Sequence, residues 1–580
     1  MKIRHYKILS FLLFFIFFVF LSQAIGEKLE INPNISPVIS TKFKTEEFKA
    51  ILEIEKVTGI KISQIYLKRE AEAPPKIKKK LFDLRTKLLK KQIPLIGNKP
   101  TFVVGYTVAL DRPLKVLAGT RPPKSLIFPI KTLPKYNISK IINLTCSPNL
   151  KYFNWRDRMK VSSVKDQGSC GSCWDFAGIG AFESSYAIIN NKIIDASEQD
   201  VLDCSGAGSC SGGWIPFEYI VKNGVAKENN YPYTAHDQTC KKYVPRLYKG
   251  KKWGYLGTNK SVREIKKALC KYGPLWVTVR VTSAFQAYTG GVFNENANGP
   301  INHAVVLIGW DDRKNAWLIK NSWSKFWGEN GYMWIRYGSN NICKHVAWII
   351  AEDELCIKKL PRPLIRLTDG FIEKNRIKYK FSVLNYKAYP DKLFVSAPDL
   401  PPCGKNKNAS RTWIKIYDQN NKYIYGFCAL KKASQMKNLW FSIPLNKLKN
   451  IKAVKVDIFD RRCKKHYISR LIPLKLPRPH LISPPDGKIF SHFPRKTILR
   501  WSKVPEAKSY TVEIDCFHCC KSNKWCREVG RVFKIVKGIK STSYTFNFVG
   551  AQPGRWRVWA VDAKGKEGFK SEWREFRYTR

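Results

Sequence analysis

Three residues of this sequence, Cys173, His303 and Asn321, have the types and the order of a nucleophilic catalytic site. Cys173 stands where apolar residues at helical spacing begin, and the partial positive charge of a helix N-terminus favours a thiolate over a thiol. His303 begins one apolar strand pattern and Asn321 follows another, so the Asn321 side-chain oxygen could accept the imidazole proton and orient the ring. The pattern predicts an ionised thiol beside an imidazole.

Short motifs surround these residues: QGSCGSCW at 167–174, SEQ at 197–199, LDC at 202–204, CSGG at 210–213, NSW at 321–323 and WGENGY at 327–332. A lone cysteine or histidine in an apolar pattern is usually a packing residue, but here the motifs occur together and in order. Over residues 148–352 the sequence resembles the papain-like (cathepsin-type) cysteine peptidases. The resemblance implies two lobes, with the nucleophile helix in one and the histidine and asparagine strands in the other.

The resemblance also implies a role for each residue of the site. Cys173 attacks the scissile carbonyl as a thiolate, His303 protonates the leaving amine, and water hydrolyses the resulting thioester. Asn321 orients His303, and Trp323 shields the hydrogen bond between them. The Gln167 amide and the backbone N–H of Cys173 hold the oxyanion. This mechanism uses side chains and backbone only, so neither a cofactor nor a metal is predicted.

For substrate binding, the resemblance implies that Gly212 and Gly213 form a strip along which an extended peptide pairs with the main chain. An ordinary turn is the alternative interpretation of these two glycines. Trp214, Ile215 and Ala304 are implied to line the pocket for the second side chain before the cut. We expect this apolar pocket to prefer a bulky apolar or aromatic residue.

The sequence departs from the family pattern at two positions. Asp175 stands two residues after the nucleophile, where small residues are usual, and a buried carboxylate there needs a partner or a raised pKa. Ser324 replaces the glycine that usually follows the Asn-Ser-Trp motif. Because of these two departures, the catalytic activity could differ from that of other family members.

The 16 cysteines predict an exported protein with disulfides. The resemblance pairs Cys170 with Cys210 and Cys204 with Cys240, which leaves Cys173 free. The partners of Cys270, Cys343, Cys356 and the C-terminal cysteines cannot be deduced from the sequence. Four cysteines at 516, 519, 520 and 526 surround a histidine; a zinc site is conceivable there, but disulfides are favoured in an exported module.

The N-terminus has the form of a secretory signal peptide over residues 1–24, with an uncleaved membrane anchor as the alternative. Residues 25–147 occupy the position of an inhibitory propeptide, and a packing domain retained after export is the alternative. We expect the mature N-terminus near Ser147. The periodicity of this region predicts two amphipathic helices and a strand, at Thr45 to Lys56, Lys76 to Gln92 and Thr101 to Leu110.

Two further modules follow the peptidase domain at residues 148–358. Alternating strands predict a β-sandwich-like domain at 362–475 and a domain resembling fibronectin type III at 480–580, with Trp501 as its expected core residue. The predicted fold class is therefore α+β: a papain-like two-lobe cysteine peptidase domain, preceded by a propeptide and followed by two all-β sandwich-like domains.

The formal net charge is +58, from 103 Lys and Arg against 45 Asp and Glu. The charge is spread along the chain without a basic low-complexity block, so a specific nucleic-acid partner is not predicted. A protein with this excess of positive charge attracts anionic partners, for example a cell-surface polymer bound through the basic surface and the C-terminal β domains. A lysine-rich solvated surface is an equally good interpretation.

Three function classes remain. We favour a secreted cysteine endopeptidase, made as a zymogen, that acts on proteins or peptides outside the cell, in the cell envelope or in the periplasm. An exopeptidase would need an occluding loop or mini-chain, and the sequence offers no candidate. A surface adhesion or binding protein with an inactive peptidase-like domain is the alternative, but it gives no reason for the intact Cys173, His303, Asn321 and Gln167. After signal cleavage the protein is not expected to span a membrane.

Overall fold

The computed structural model describes residues 42–123, 146–397, 400–403, 410–428, 431–447 and 449–579. The predicted signal peptide lies outside these residues. The chain divides into two compact units, one that runs through Glu352 and one that begins at Asp353. None of the helices in the described parts of the chain has both the length and the apolar character needed to cross a membrane.

The N-terminal region of the first unit contains the helices α1 (Thr45–Thr58), α2 (Gln64–Ala71), α3 (Pro75–Leu89) and α4 (Leu114–Leu117) and the strand β1 (Phe102–Val104). Apolar residues at helical spacing, such as Ile51 in α1 and Leu81 in α3, are buried. α3 begins at Pro75 because the fixed φ and missing N–H of proline suit the first helical position. The two predicted amphipathic helices are confirmed.

The strand predicted at residues 101–110 is wrong in its length, because β1 ends at Val104. The backbone then bonds to itself: Thr107 N–H donates to the Gly105 carbonyl at 3.0 Å, and Leu110 N–H donates to the Thr107 carbonyl at 3.1 Å. These local bonds start a 3-10 turn at Val108–Asp111. The predicted strand was too long because the apolar alternation in the sequence continues beyond Val104, where the chain no longer has a neighbouring strand to pair with.

Helix α5 (Cys173–Asn190) is the central helix of the predicted peptidase domain, and every residue in it is buried. Its apolar residues Ile179 and Phe182 join the same cluster as Trp276 and Val306 from the sheet. Asn191 ends the helix in a left-handed conformation. The other helices are α6 (Glu198–Cys204), α7 (Phe217–Lys222), α8 (Val262–Tyr272) and α9 (Ser283–Gln286).

The peptidase strands are β2 (Tyr152–Asn154), β3 (Gly208–Ser209), β4 (Gly212–Gly213), β5 (Gly250–Thr258), β6 (Leu275–Val279), β7 (Tyr288–Phe293), β8 (His303–Asp311), β9 (Ala316–Lys320), β10 (Tyr332–Arg336) and β11 (His345–Ala351). β3 and β4 form a separate hairpin, and the other strands form one sheet in the order β1-β7-β10-β9-β8-β6-β11-β5, with β2 on β8. β8 and β9 are antiparallel and pair Val306 with Lys320. The start of β8 and the end of β9 therefore lie at the same end of the sheet, which brings His303 to Asn321.

The second unit holds a short helix, α10 (Glu354–Ile357), and two β modules. The strands of the first module are β12 (Ile365–Glu373), β13 (Arg376–Val383), β14 (Thr412–Asp418), β15 (Tyr423–Cys428), β16 (Leu439–Pro444), β17 (Ala453–Asp460), β18 (Lys465–Ile468) and β19 (Ile472–Pro473). They form the sheets β12-β13-β16 and β15-β14-β17-β18, with β19 on β17. Inward residues such as Phe381 and Ile414 share one core, as in a sandwich.

The strands of the second module are β20 (Leu481–Ser483), β21 (Lys488–Phe490), β22 (Lys496–Trp501), β23 (Ser509–Cys516), β24 (Lys534–Ile539), β25 (Ser543–Asn547), β26 (Pro553–Val561) and β27 (Arg574–Tyr578). They form the sheets β20-β22-β25 and β21-β27-β26-β23-β24. Trp501 is 1% exposed in the core between them. The sandwich-like fold class is confirmed, and the fibronectin type III assignment stays a prediction.

The described residues contain seven disulfides. Cys170–Cys210 and Cys204–Cys240 are both present. The pairs that the sequence left open are Cys146–Cys270, Cys356–Cys463, Cys403–Cys428, Cys516–Cys519 and Cys520–Cys526. The C-terminal cysteine cluster is therefore a disulfide cluster rather than a zinc site. Cys173 and Cys343 are free thiols, and both are buried.

Candidate active site

The imidazole of His303 lies against Asn321 and Trp323. The Nε2 atom of His303 is 2.8 Å from Oδ1 of Asn321, and the other ring nitrogen, Nδ1, has no hydrogen-bond partner among the described residues. Because the Asn321 oxygen can only accept, Nε2 carries the proton of this bond. The ring of Trp323 lies 4.7 Å from the His303 ring and is fully buried, so it excludes water from the bond.

The thiol of Cys173 is buried at the first position of α5. Burial raises the pKa of this thiol, but the charge of His303 and the direct interaction of its side chain with the thiol, followed by a hydrogen bond with Thr120, outweigh burial and lower the pKa to about 7. The ordinary thiol pKa is about 8.5, so a large fraction of Cys173 is thiolate at neutral pH. The structure thus brings the predicted nucleophile and its predicted base together.

The side-chain amide of Gln167 has a fixed orientation. Its Oε1 accepts hydrogen bonds from Ser322 Oγ at 2.8 Å and from Trp323 Nε1 at 3.2 Å. The indole N–H can only donate, so the amide oxygen must face it and the NH₂ group must point the other way. Nε2 donates to the carbonyls of Cys170, at 2.8 Å, and Leu117, at 3.2 Å. The Gln167 NH₂ group, which is predicted to bind the oxyanion, therefore already donates to a carbonyl of the N-terminal region, that of Leu117.

Tyr233 also fixes this loop, and sequence reasoning missed it. Its hydroxyl donates to the Gln167 backbone carbonyl at 2.8 Å and lies 2.7 Å from Oγ of Ser172, the residue before the nucleophile. Burial raises the pKa of Tyr233 well above its usual range, so the phenol remains a donor. No local signal in the sequence connects Tyr233 with residues more than 60 positions away.

A segment of the N-terminal region crosses the site, which sequence reasoning also missed. Gly119 N–H lies 3.3 Å from Sγ of Cys173, and Oγ1 of Thr120 lies 3.2 Å from the same atom. Gly213 N–H donates to the Gly119 carbonyl at 2.8 Å, and Arg121 N–H donates to the Gly213 carbonyl at 3.0 Å. Thr120 and Gly213 form a parallel bridge. The segment therefore pairs with one of the two glycines that the sequence assigned to substrate backbone.

Gly212 and Gly213 form β4, the second strand of a short hairpin. Gly212 has a φ of +123°, which favours glycine, and a Cβ on Gly213 would lie 2.5 Å from the indole of Trp174. Trp214, Ile215 and Ala304 belong to one apolar cluster. The residues predicted for the second-residue pocket thus belong to the same apolar core, while the pocket itself and their role in binding stay a prediction.

The two departures from the family pattern have physical consequences. Ser324 has a φ of +67°, the left-handed region that glycine occupies without strain. Asp175 is fully buried, and neither of its carboxylate oxygens has a hydrogen-bond partner among the described residues. Burial, together with the negative charge of Glu198, raises the pKa of Asp175 well above its usual range. Asp175 therefore keeps its proton to a higher pH than an exposed aspartic acid does.

Asp175→Asn should raise the free energy of unfolding at alkaline pH. The native state holds the Asp175 proton from the unfolded-state pKa of about 4 up to its raised native pKa, so wild-type stability falls as pH rises through this window. Asparagine does not titrate, so the variant should gain roughly 1–3 kcal/mol over wild type by pH 8 and little at pH 4. Urea unfolding of the precursor between pH 4 and pH 9 measures the difference.

The control for this experiment is Asp83→Asn, which changes an exposed carboxylate on α3 and should leave the pH profile unchanged. A pH-independent difference between Asp175→Asn and wild type would show that Asp175 is not protonated in the native state.

Comparison with known proteins agrees with this geometry. A model described as "Papain family cysteine protease" matches residues 150–351. A viral cathepsin of Heliothis zea nuclear polyhedrosis virus is 40% identical over 199 residues, which are 33% of this chain and 53% of the viral protein. The chain thus spans about half the length of that relative.

Two plant proteins are matched over more of their length. Fruit bromelain of Ananas comosus is 34% identical over 256 residues, which are 42% of this chain and 72% of fruit bromelain. Macrodontain-1 of Ananas macrodontes is 36% identical over 192 residues, which are 32% of this chain and 87% of macrodontain-1. This chain belongs to the papain family of cysteine proteases.

Proposed function

We propose that this chain is a secreted cysteine endopeptidase made as a latent precursor. The observation that carries the proposal is the buried Cys173 thiol, whose pKa of about 7 depends on His303, with the Gln167 amide aimed at a carbonyl beside it. This arrangement supplies a nucleophile, a proton donor and an oxyanion donor in one place.

The reaction follows from these positions. The Cys173 thiolate attacks the substrate carbonyl carbon, and the Gln167 Nε2 group stabilises the negative charge that moves to the carbonyl oxygen. The His303 imidazolium then gives its proton to the leaving amine, and the C–N bond breaks to leave a thioester. Water, activated by the neutral imidazole, attacks the thioester and releases the carboxylic acid and the thiol. Asn321 keeps the ring in place through both steps.

The N-terminal region accounts for latency. The atoms of this region that face Sγ are the Gly119 N–H and the Thr120 hydroxyl, which are hydrogen-bond donors and not an electrophilic carbonyl carbon. The N-terminal region therefore covers the Cys173 thiol without placing a peptide carbonyl carbon where the thiol could attack it. Arg112 anchors the segment through its ion pair with Asp166, at 2.6 Å.

The cleft also supports internal cleavage. The chain from Leu117 to Arg121 passes from the Gln167 amide, past Cys173, to Gly213. In the precursor a continuous main chain therefore lies on both sides of Cys173. An endopeptidase needs this geometry, because its substrate continues on both sides of the scissile bond.

Release of the N-terminal region depends on where the chain is cut. Cys146 is bonded to Cys270 in the peptidase domain. A cut at the expected site near Ser147 would leave the N-terminal region covalently attached until the disulfide is reduced, whereas a cut before Cys146 would free it. The seven disulfides support export to an oxidising compartment. Attraction to an anionic cell-surface polymer stays a prediction from charge alone.

The test is hydrolysis and labelling by the processed protein at mildly acidic pH with reductant. We expect it to hydrolyse peptides with an apolar second residue before the cut faster than peptides with a charged one, and to react with an epoxysuccinyl thiol inhibitor at Cys173. Cys173→Ser should abolish both. A folded processed protein that neither hydrolyses peptides nor labels at Cys173 would support instead a binding protein with an inactive peptidase domain.

A further inference from the structure

The N-terminal region completes the peptidase sheet at one edge. β1 pairs antiparallel with β7, and the other neighbour of β7 is β10. Main-chain bonds extend beyond the strand pair: Val292 N–H donates to the Thr101 carbonyl at 2.7 Å, and Gly105 N–H donates to the Ala287 carbonyl at 2.9 Å. When the N-terminal region leaves, β7 becomes an edge strand with unpaired N–H and C=O groups, which readily pair with another extended chain.

Side chains along this edge are also bonded to the N-terminal region. Asn294 is fully buried, and its amide donates to the carbonyls of Ile96 and Lys99, both at 3.0 Å. Its oxygen accepts from Thr101 N–H at 3.1 Å. These bonds bind main-chain atoms and so do not depend on the sequence of the bound chain. Removal of the N-terminal region leaves the Asn294 side-chain amide without these hydrogen-bond partners.

An aromatic anchor provides selectivity. Phe102 is 0% exposed, and its ring lies 4.6 Å from the ring of Phe293 and 6.5 Å from the ring of Tyr288. Burial of a phenylalanine side chain removes a large apolar area from water and so stabilises the bound state. The slot that Phe102 leaves would therefore favour another aromatic side chain.

This edge is close to the catalytic residues but separate from them. β7 is three strands from β8, where His303 begins, and strands lie about 4.8 Å apart, so the separation is about 14 Å. One substrate molecule could therefore reach both places.

We propose that removal of the N-terminal region turns the edge of β7 into an exosite, a substrate-binding surface outside the cleft. The exosite binds an extended segment of a protein substrate as an added β-strand, with an aromatic side chain in the slot of Phe102 and β-branched residues after it. The use of this surface by substrates rests on the proposed endopeptidase function, whereas binding of the strand does not.

Binding is tested on protein from which an added protease has removed the N-terminal region. This protein keeps the C-terminal modules, and its Cys173 is alkylated. The probe is a fluorescent peptide of residues 99–106, KPTFVVGY. We expect saturable binding with one peptide for each protein, at least about 10-fold weaker binding of the Phe102→Ser peptide, and no binding to the unprocessed precursor. Equal affinity of the two peptides, or no binding to the processed protein, would overturn the proposal.

Two glycines of β7 offer a matched pair of protein variants. A Cβ on Gly291 would lie 2.6 Å from the Thr101 carbonyl oxygen, whereas the nearest atom to a Cβ on Gly290 is 3.9 Å away. Gly291→Ala should weaken peptide binding by at least about 10-fold, and Gly290→Ala should leave it unchanged. Equal affinities of the two variants would place the peptide elsewhere.

The role in catalysis is tested with two protein substrates that differ at one position. Each has a cleavable segment joined by a flexible linker of about 20 residues, which spans roughly 25 Å, to TFVV or to TSVV. We expect a KM about 10-fold lower for the TFVV substrate. Equal KM values would overturn substrate binding at the exosite, whereas failure to cleave either substrate would count against the endopeptidase function.

Discussion

His303→Ala should lower peptide hydrolysis by about 10⁴-fold and raise the pKa of the Cys173 thiol above that of the wild-type protein. Burial by itself raises the pKa of this thiol, and the charge of His303 is the largest opposing effect. Without that charge burial dominates, so the thiolate fraction at pH 7 falls while the proton donor for the leaving amine is also lost. The rate of alkylation by iodoacetamide as a function of pH, on protein processed by an added protease, measures the pKa.

Asn321→Ala separates orientation from charge. Asn321 bonds to His303 at 2.8 Å but is uncharged, so its removal should slow hydrolysis and leave the thiol pKa at its wild-type value. His492→Ala changes an exposed histidine in the C-terminal module and should affect neither quantity. An alkylation midpoint in His303→Ala equal to that of the wild-type protein would show that another group stabilises the thiolate.

Gly119→Ala should activate the uncleaved precursor. The added Cβ would lie 1.7 Å from the Gly171 carbonyl oxygen, which is far inside van der Waals contact, so the segment across the nucleophile must move. Its hydrogen bonds to Cys173 and Gly213 would weaken together. A loss of about 2 kcal/mol in the docking of this segment raises the open fraction roughly 30-fold, and initial hydrolysis by the precursor should rise accordingly.

The measurement is the initial rate of peptide hydrolysis by precursor that a gel shows to be intact. Gly290→Ala is the control, because it adds the same methyl group where the nearest atom is 3.9 Å away, and the precursor should remain latent. Alkylation of Cys173 in the intact Gly119→Ala precursor provides a second measurement, since the thiol is fully buried in wild type. An unchanged rate and an unreactive thiol would mean that this segment does not control latency.

The sequence could predict the residues that carry the chemistry because their signals are local. The motifs around Cys173, His303 and Asn321 are a few residues long, and the apolar periodicity of α5, β8 and β9 lies within each element. The sheet needs only antiparallel pairing of β8 with β9 to bring His303 to Asn321. For the same reason the amphipathic helices of the N-terminal region and the strands of the C-terminal modules could be predicted from the spacing of their apolar residues alone.

By itself the sequence determined residue types, spacing and the class of fold; the tertiary structure decided which distant atoms meet. The Cys146–Cys270 disulfide joins residues 124 positions apart, and the orientation of the Gln167 amide depends on Ser322 and Trp323 from another part of the chain. That Gly119 and Thr120 cover Cys173 could not be predicted, because small residues in a short segment have no periodic pattern. Local patterns report the preferences of one segment, whereas these contacts depend on the packing of several segments at once.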